Sequence, residues 1–432
     1  MADKHVHTAA MDLIARGKDL GLERRYPEAL IALREALQLS PTLVEAWVYL
    51  ALTHYRLNEY IECLGACDEA LKYDAARGMA WNLRGIALAS LGRDEEALDA
   101  YAHAMRIPQW DLTAAQNASL ILCGQGRFDE AQRLGDDLIR GNRLAAAGWI
   151  IRSRALRGLK RHEQSHEAAL KGVGLAPANA VAWAELGRSL YFLRRFDACL
   201  EASQHGVELD PDDPELSSWV GVVLVAVGRP AEALPRMAQA AKDNPADAGL
   251  ANNVGFALLC LRRFDEALGW IDRALALRPQ HRDAAINRAY VLMRLERYDE
   301  ADASLGTTEA TASDQSAFWA TKGALHTHRG QYDNALAAIK KATELDQNNA
   351  SAWGSMAELL IALQDFEKAL GVAQHGLELR PHDWDLMDLS AAALRGLGRD
   401  TEADEIKGAV QTRLAEQIAL LDQDGSSHRW EA

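Results

Sequence analysis

One short motif returns along this chain at a single unvarying interval, and that interval limits the fold more than any other feature. It reads Tyr26-Pro27-Glu28-Ala29, then Tyr60-Ile61-Glu62-Cys63, Asp94-Glu95-Glu96-Ala97 and Phe128-Asp129-Glu130-Ala131. Its closing small residue recurs at Ser165, Cys199, Ala233, Ala267, Ala301, Ala335, Ala369 and Ala403, always 34 residues on, with no insertion or deletion. Two further registers share the period. Tryptophan stands at Trp47, Trp81, Trp149, Trp183, Trp319 and Trp353, and proline closes units at Pro177, Pro211, Pro245, Pro279 and Pro381. A fixed period of this length is the mark of a stacked array, in which no single central core is needed.

Within a unit the apolar residues follow helical spacing. In the sixth, Val181, Leu186, Leu190 and Leu193 serve a first helix, and Phe196, Leu200 and Val207 a second. Leu91-Gly92-Arg93-Asp94 is a turn of the kind between them, where glycine offers the left-handed conformation that closes a helix. The closing proline cannot extend the second helix. Small residues at position 8 (Gly85, Gly187, Gly221, Gly255, Gly323) and at position 20 let the paired helices approach closely. Alanine and leucine dominate the 49% hydrophobic fraction, which suits helices and excludes disorder.

The combination of Trp, a small residue four positions later, an aromatic, Ala and a closing Pro over 34 residues resembles the tetratricopeptide repeat. The resemblance implies an all-α fold, a right-handed superhelical solenoid of antiparallel helix pairs. Twelve units then span 10–417, between a polar N-terminal tail at 1–9 and, at 418–432, the end of a capping helix with a flexible tail. The capping helix is expected to carry Ile406, Val410, Leu414, Ile418 and Leu421 on one face; Trp430 beyond it has no assigned part. The family uses its tryptophan as a wedge between helices, so the prominent tryptophans are not expected to stack on a ligand.

Four units depart from the pattern. The fourth has Ala115 and Ser119 in place of Trp and Gly. The fifth has Ser165 with His162 and His166, spaced as metal ligands on a helix but without a third ligand nearby. The seventh has Pro235 inside its second helix, where a kink is expected. The ninth loses its apolar stripe after Leu305; its second helix is expected to end early, and a bend or local softness is expected near 306–315.

No phosphate loop, dinucleotide fingerprint, nucleophile elbow, HExxH or CxxC cluster is present, so no enzyme, catalytic residue, metal or cofactor is expected. Cys63, Cys67, Cys123, Cys199 and Cys260 read as reduced thiols, mostly buried. The first ten residues lack an apolar signal core, and no apolar stretch approaches membrane length. Both point to a cytoplasmic chain with no membrane partner. A formal charge of −15 disfavours nucleic acid. Charge is uneven, however: residues 140–195 hold 11 Lys/Arg against 3 Asp/Glu, and residues 375–432 hold 6 against 12. The basic stretch is either a solvated face or a docking surface for an acidic segment.

By the resemblance, positions 2, 5, 6, 9, 12 and 13 of each unit line a concave groove. That places Asn82, Gln116, Asn117, Arg154, Arg157, Arg188, Tyr191, Asn252, Asn253, Phe256, Asn287, Tyr290 and Arg294 there. Asparagine can pair with any peptide unit, and arginine forks bind carboxylates. Asn117, Asn253 and Asn287 share position 6, similar to the asparagine ladder of some peptide-binding members; asparagine merely tolerated on a wet face is the alternative. The Lys/Asn set of the family's carboxylate clamp for chaperone tails occurs in no run of three units. The expected function is a scaffold or adaptor that binds a protein or extended peptide, acidic by preference, in the groove. The alternatives are a targeting or regulatory subunit of an enzyme complex, and a self-assembling scaffold. Oligomeric state is open.

Overall fold

A computed structural model describes residues 2–107, 110–141 and 145–423. Among these residues the secondary structure is entirely helical and follows the 34-residue register. Unit two is typical, with a first helix Val44–Arg56 and a second helix Tyr60–Tyr73. The turn between them repeats in atomic detail. A residue with positive φ stands at position 15 of all twelve repeats: Arg24, Asn58, Gly92, Gly126, Lys160, Arg194, Gly228, Arg262, Glu296, Gly330, Gln364 and Gly398. The next backbone N–H reaches back five residues, as in Arg93 to Leu88 and Arg263 to Leu258, both 2.9 Å. This is the bond pattern of a Schellman helix end. The repeats read as irregular keep this turn, so they are members of the array.

The glutamate of the recurrent motif has a local task. It forms paired hydrogen bonds with the arginine three residues before it, as in Arg93–Glu96 and Arg297–Glu300. In repeat eleven the charges are exchanged, with Asp365 holding Lys368 at 2.6 Å. These pairs are mostly exposed, so solvent screens them and they contribute little to stability. They orient the start of the second helix more than they stabilise it.

Close approach of the paired helices depends on position 8. A Cβ added at Gly255 would lie 2.5 Å from Ile271, and one at Gly85 would lie 2.5 Å from the Tyr101 ring. The tryptophans are wedges, as the family resemblance implies. The indole N–H of Trp47 donates to Pro41, that of Trp81 to Ala75, and those of Trp183, Trp319 and Trp353 to Pro177, Ser313 and Gln347, all six residues upstream. Each indole thereby anchors the loop that delivers its own repeat.

The ends differ from a simple tail reading. The first helix begins at Ala2, so residues expected as an N-terminal tail continue into it. The last helix spans Asp400–Gln423, beyond the end of the repeat at 417, and Trp430 lies outside the described residues. In repeat seven the helix Pro230–Asp243 runs through Pro235 without interruption. In repeat nine the second helix does end early, covering only Tyr298–Gly306 before a single turn at Glu309–Ala312.

The chain divides into two compact units, Met1–Leu193 and Arg194–Ala432. The first has a core around Leu33, Leu50, Ala51 and Cys63, continued by Leu88, Tyr101 and Ala118. The second has its largest core around Val220, Leu234, Met237, Val254, Leu258 and Ile271. All five cysteines are free thiols; Cys63, Cys67 and Cys199 are buried, while Cys123 and Cys260 are half-buried.

Two outcomes are expected from these contacts. Gly255→Ala should cost about 1–3 kcal/mol through overpacking, and Gly255→Ala with Ile271→Val should recover part of the loss, measured by chemical denaturation. Gln364→Gly, at φ 63, should raise the thermal midpoint by relieving about 1 kcal/mol of left-handed strain.

Candidate functional site

The asparagine ladder is present in both units, and its first partner is the neighbouring repeat. Asn117 donates an amide N–H to Asn82 at 3.2 Å, Asn253 to Ser218 at 3.0 Å and Asn287 to Asn252 at 3.0 Å, each across 35 residues. Position 6 of one repeat is thus tied to position 5 of the one before. In repeat eleven Ser355 occupies position 6 and donates to the Ala320 carbonyl with the same spacing. Asn82 and Asn252 are buried beneath these bonds, while Asn117, Asn253 and Asn287 are half-buried. Each ladder amide therefore has one donor committed to stacking before any ligand arrives.

In repeat six, position 6 is Glu185, and it organises the first unit's charge. Its side chain is 0% exposed. Arg154 donates to its Oε1 from Nε at 3.0 Å and from Nη2 at 2.9 Å; Arg188 reaches the same oxygen at 2.9 Å, and Arg157 reaches Oε2 at 3.1 Å. Arg154 also donates to Ser119 at 3.0 Å, and Ser119 donates to the Gln116 carbonyl at 2.7 Å. Burial by itself would raise the Glu185 carboxyl, but the charges of Arg154, Arg157 and Arg188 outweigh it and hold the group well below the ordinary value of 4.5. Three guanidiniums thus share one carboxylate.

The three arginines are not equivalent. Arg154 is 9% exposed and held on two sides, so it is a structural cation. Arg157 and Arg188 are partly open, with side-chain exposures of 23% and 21%. Arg157 also has a buried Nε with no hydrogen-bond partner. Its guanidinium lies 5.8 Å from the ring of Phe192, which stacks on His162 at 5.2 Å and meets Tyr191 edge-on at 5.7 Å. His166 contacts the Ser189 hydroxyl. Apolar surface borders Arg157, since Phe192 is 45% exposed; Leu120, at position 9 of repeat four, is 55% exposed.

Of the sequence-nominated residues, Asn82, Gln116, Asn117, Arg154, Arg157, Arg188 and Tyr191 fall in the first unit. Asn253, Phe256, Asn287 and Tyr290 fall in the second. Of the first set, Arg154, Arg157 and Arg188 meet at Glu185, whereas Asn82 and Asn117 bond to each other. In the second set, Tyr290 donates its hydroxyl to Asp385 of the same chain. Glu185, Ser119, Phe192 and Leu120 were missed. All four stand at regular repeat positions, and reading position 6 through every repeat would have found Glu185.

Among the described residues no group of three or more His, Cys, Asp or Glu is arranged to hold a metal ion, and no helix is long and apolar enough to cross a membrane.

Glu185→Gln should destabilise the first unit by about 3–5 kcal/mol, since it leaves the buried Arg154 uncompensated. The pH dependence follows from the lowered carboxyl. Its contribution is complete above the ordinary glutamate value of 4.5 and is lost as pH falls below it. Acid unfolding of the first unit, followed by hydrogen exchange over 145–193, should therefore be steeper for wild type than for Glu185→Gln.

Comparison with known proteins agrees with this architecture. Two sequence models described as tetratricopeptide repeat match the chain, one over 327–403 and one over 64–108, 221–282, 257–317 and 286–350. No curated protein sequence matches it. A chain of the crystal structure of the APC/C hetero-tetramer Cut9-Hcn1 superposes with a TM-score of 0.53 at 13% identity, covering 98% of this chain and 92% of that one. The crystal structure of yeast Tom70 gives a TM-score of 0.36, also at 13% identity, with coverages of 98% and 97%.

Proposed function

Because this chain belongs to the tetratricopeptide repeat family, whose arrays are protein-interaction scaffolds, we propose that it is an adaptor whose first unit binds an acidic, extended segment of a partner protein. The observation that carries this reading is the set of three arginines held on Glu185, with Arg157 and Arg188 partly open and the exposed ring of Phe192 beside Arg157. Buried carboxylates normally balance their cations. Here one buried carboxylate holds three guanidiniums in place, so an incoming carboxylate meets cations that are already ordered. The neighbouring Phe192 suits an apolar side chain next to the acid.

Glu185 also sets the form of the partner. It already engages all three guanidiniums, so the partner need offer only one or two acidic groups. A long polyanion is not required, and the formal charge of −15 for the whole chain opposes one.

The test is an array of immobilised peptides in which Glu-Leu-Glu cores are compared with their Lys-Leu-Lys counterparts. Wild type should retain the acidic set. Arg157→Gln with Arg188→Gln, which leaves the Arg154–Glu185 pair intact, should weaken retention at least tenfold without loss of helicity. Equal retention of both peptide sets, or no effect of the double substitution, would reject the proposal.

A further inference from the structure

The groove side of the second unit already holds acidic groups, and they come from the chain itself. The first helix of repeat twelve, Trp384–Gly396, brings Asp385 and Asp388 to repeats eight and nine. Arg262 Nη2 lies 2.6 Å from Asp388 and 3.4 Å from Asp385, and Arg294 Nη1 lies 3.5 Å from Asp385. Tyr290 donates its hydroxyl to Asp385, across 95 residues of sequence. Stacking of successive repeats supplies only contacts between neighbours. These contacts skip two or more repeats.

Two other contacts hold the same end of the chain in place. His382 sits against Gly228, where an added Cβ would lie 2.6 Å from its side chain. The Ala231 backbone N–H, free at the start of its helix, donates to Gln417 at 3.1 Å, and Leu421, 2% exposed, joins the core of repeats seven and eight. The last repeat and its capping helix are thus fastened across repeats seven to nine.

The residues involved are groove residues by register. Asp385 and Asp388 hold positions 2 and 5, and Tyr290 and Arg294 hold positions 9 and 13. Donors exceed acceptors in the cluster. Arg262 serves both carboxylates from Nη2 alone, and its buried Nε has no partner. The carboxylates are only partly covered, at 31% and 34% exposure, so water or another acid can reach them. A half-exposed ion pair of this kind is reversible.

We propose that Arg262, Tyr290 and Arg294 form a second carboxylate receptor, closed in the free chain by Asp385 and Asp388, and that an acidic partner segment binds there by displacing repeat twelve. The partner class rests on the functional reading above. The closure does not, because it can be measured with no partner present.

The experiment uses the full-length chain with Asp385→Asn and Asp388→Asn, in a background of Arg157→Gln and Arg188→Gln that silences the first unit. Hydrogen exchange reports the closure, and a fluorescein-labelled hexaglutamate reports the receptor. Amides of 384–396 should exchange at least tenfold faster than in the background chain, and hexaglutamate should bind at least tenfold more tightly. Adding Arg262→Gln should abolish the gain in binding. The exchanged pair Arg262→Asp with Asp388→Arg should restore protection, which separates loss of the latch from general misfolding. Unchanged protection over 384–396 overturns the closure. Faster exchange without tighter hexaglutamate binding, or a gain that survives Arg262→Gln, overturns the receptor. Failure of the first-unit reading would appear elsewhere, as acidic peptides retained equally by wild type and by Arg157→Gln with Arg188→Gln.

Discussion

A single helical hairpin of this chain cannot bury its own apolar face, and nearly every feature of the structure follows from that. The two helices of a repeat must approach closely enough to share small residues, which is why Gly255 lies where even a methyl would meet Ile271. The face left over must then be covered by the next hairpin. Trp47 and its equivalents anchor the loops that set this stacking, and the position 6 side chains tie each first helix to the one before it. A left-handed residue at every position 15 turns the chain at the same point each time. Seven of those twelve residues are not glycine, so the array tolerates local strain wherever packing on both sides over-determines the turn.

The same stacking bonds explain how polar groups come to lie within the groove. A position 6 asparagine satisfies its neighbour with one N–H and remains neutral. Glu185 at the equivalent place brings a charge, and the fold answers with Arg154, Arg157 and Arg188. One repeat position thus yields either a neutral ladder or a cationic cluster, depending on a single side chain. In the second unit Arg262 and Arg294 also stand at groove or turn positions, but there the balancing acids, Asp385 and Asp388, arrive from a distant repeat.

The sequence was legible wherever contacts are local or strictly periodic. The 34-residue register alone determined the helix pairs, their turns and the membership of irregular repeats four, seven and nine, while the family resemblance supplied the structural use of the tryptophans. The family resemblance, rather than the period, nominated Arg154, Arg157, Arg188 and the position 6 asparagines as groove residues. The helical start at Ala2 was not legible, because Met1 to Ala10 carries no repeat pattern of its own.

Tertiary structure alone decided the partners of those groove residues. Arg154 and Glu185 are 31 residues apart, and nothing in composition says that one buried carboxylate would take three arginines. Tyr290 and Asp385 are 95 residues apart, a separation set by how much each repeat rotates on the last. That rotation accumulates from many small packing contacts, none of which has a sequence signature. Periodicity could therefore say which residues share a repeat position. Only the accumulated curvature could say which of them are already engaged with one another.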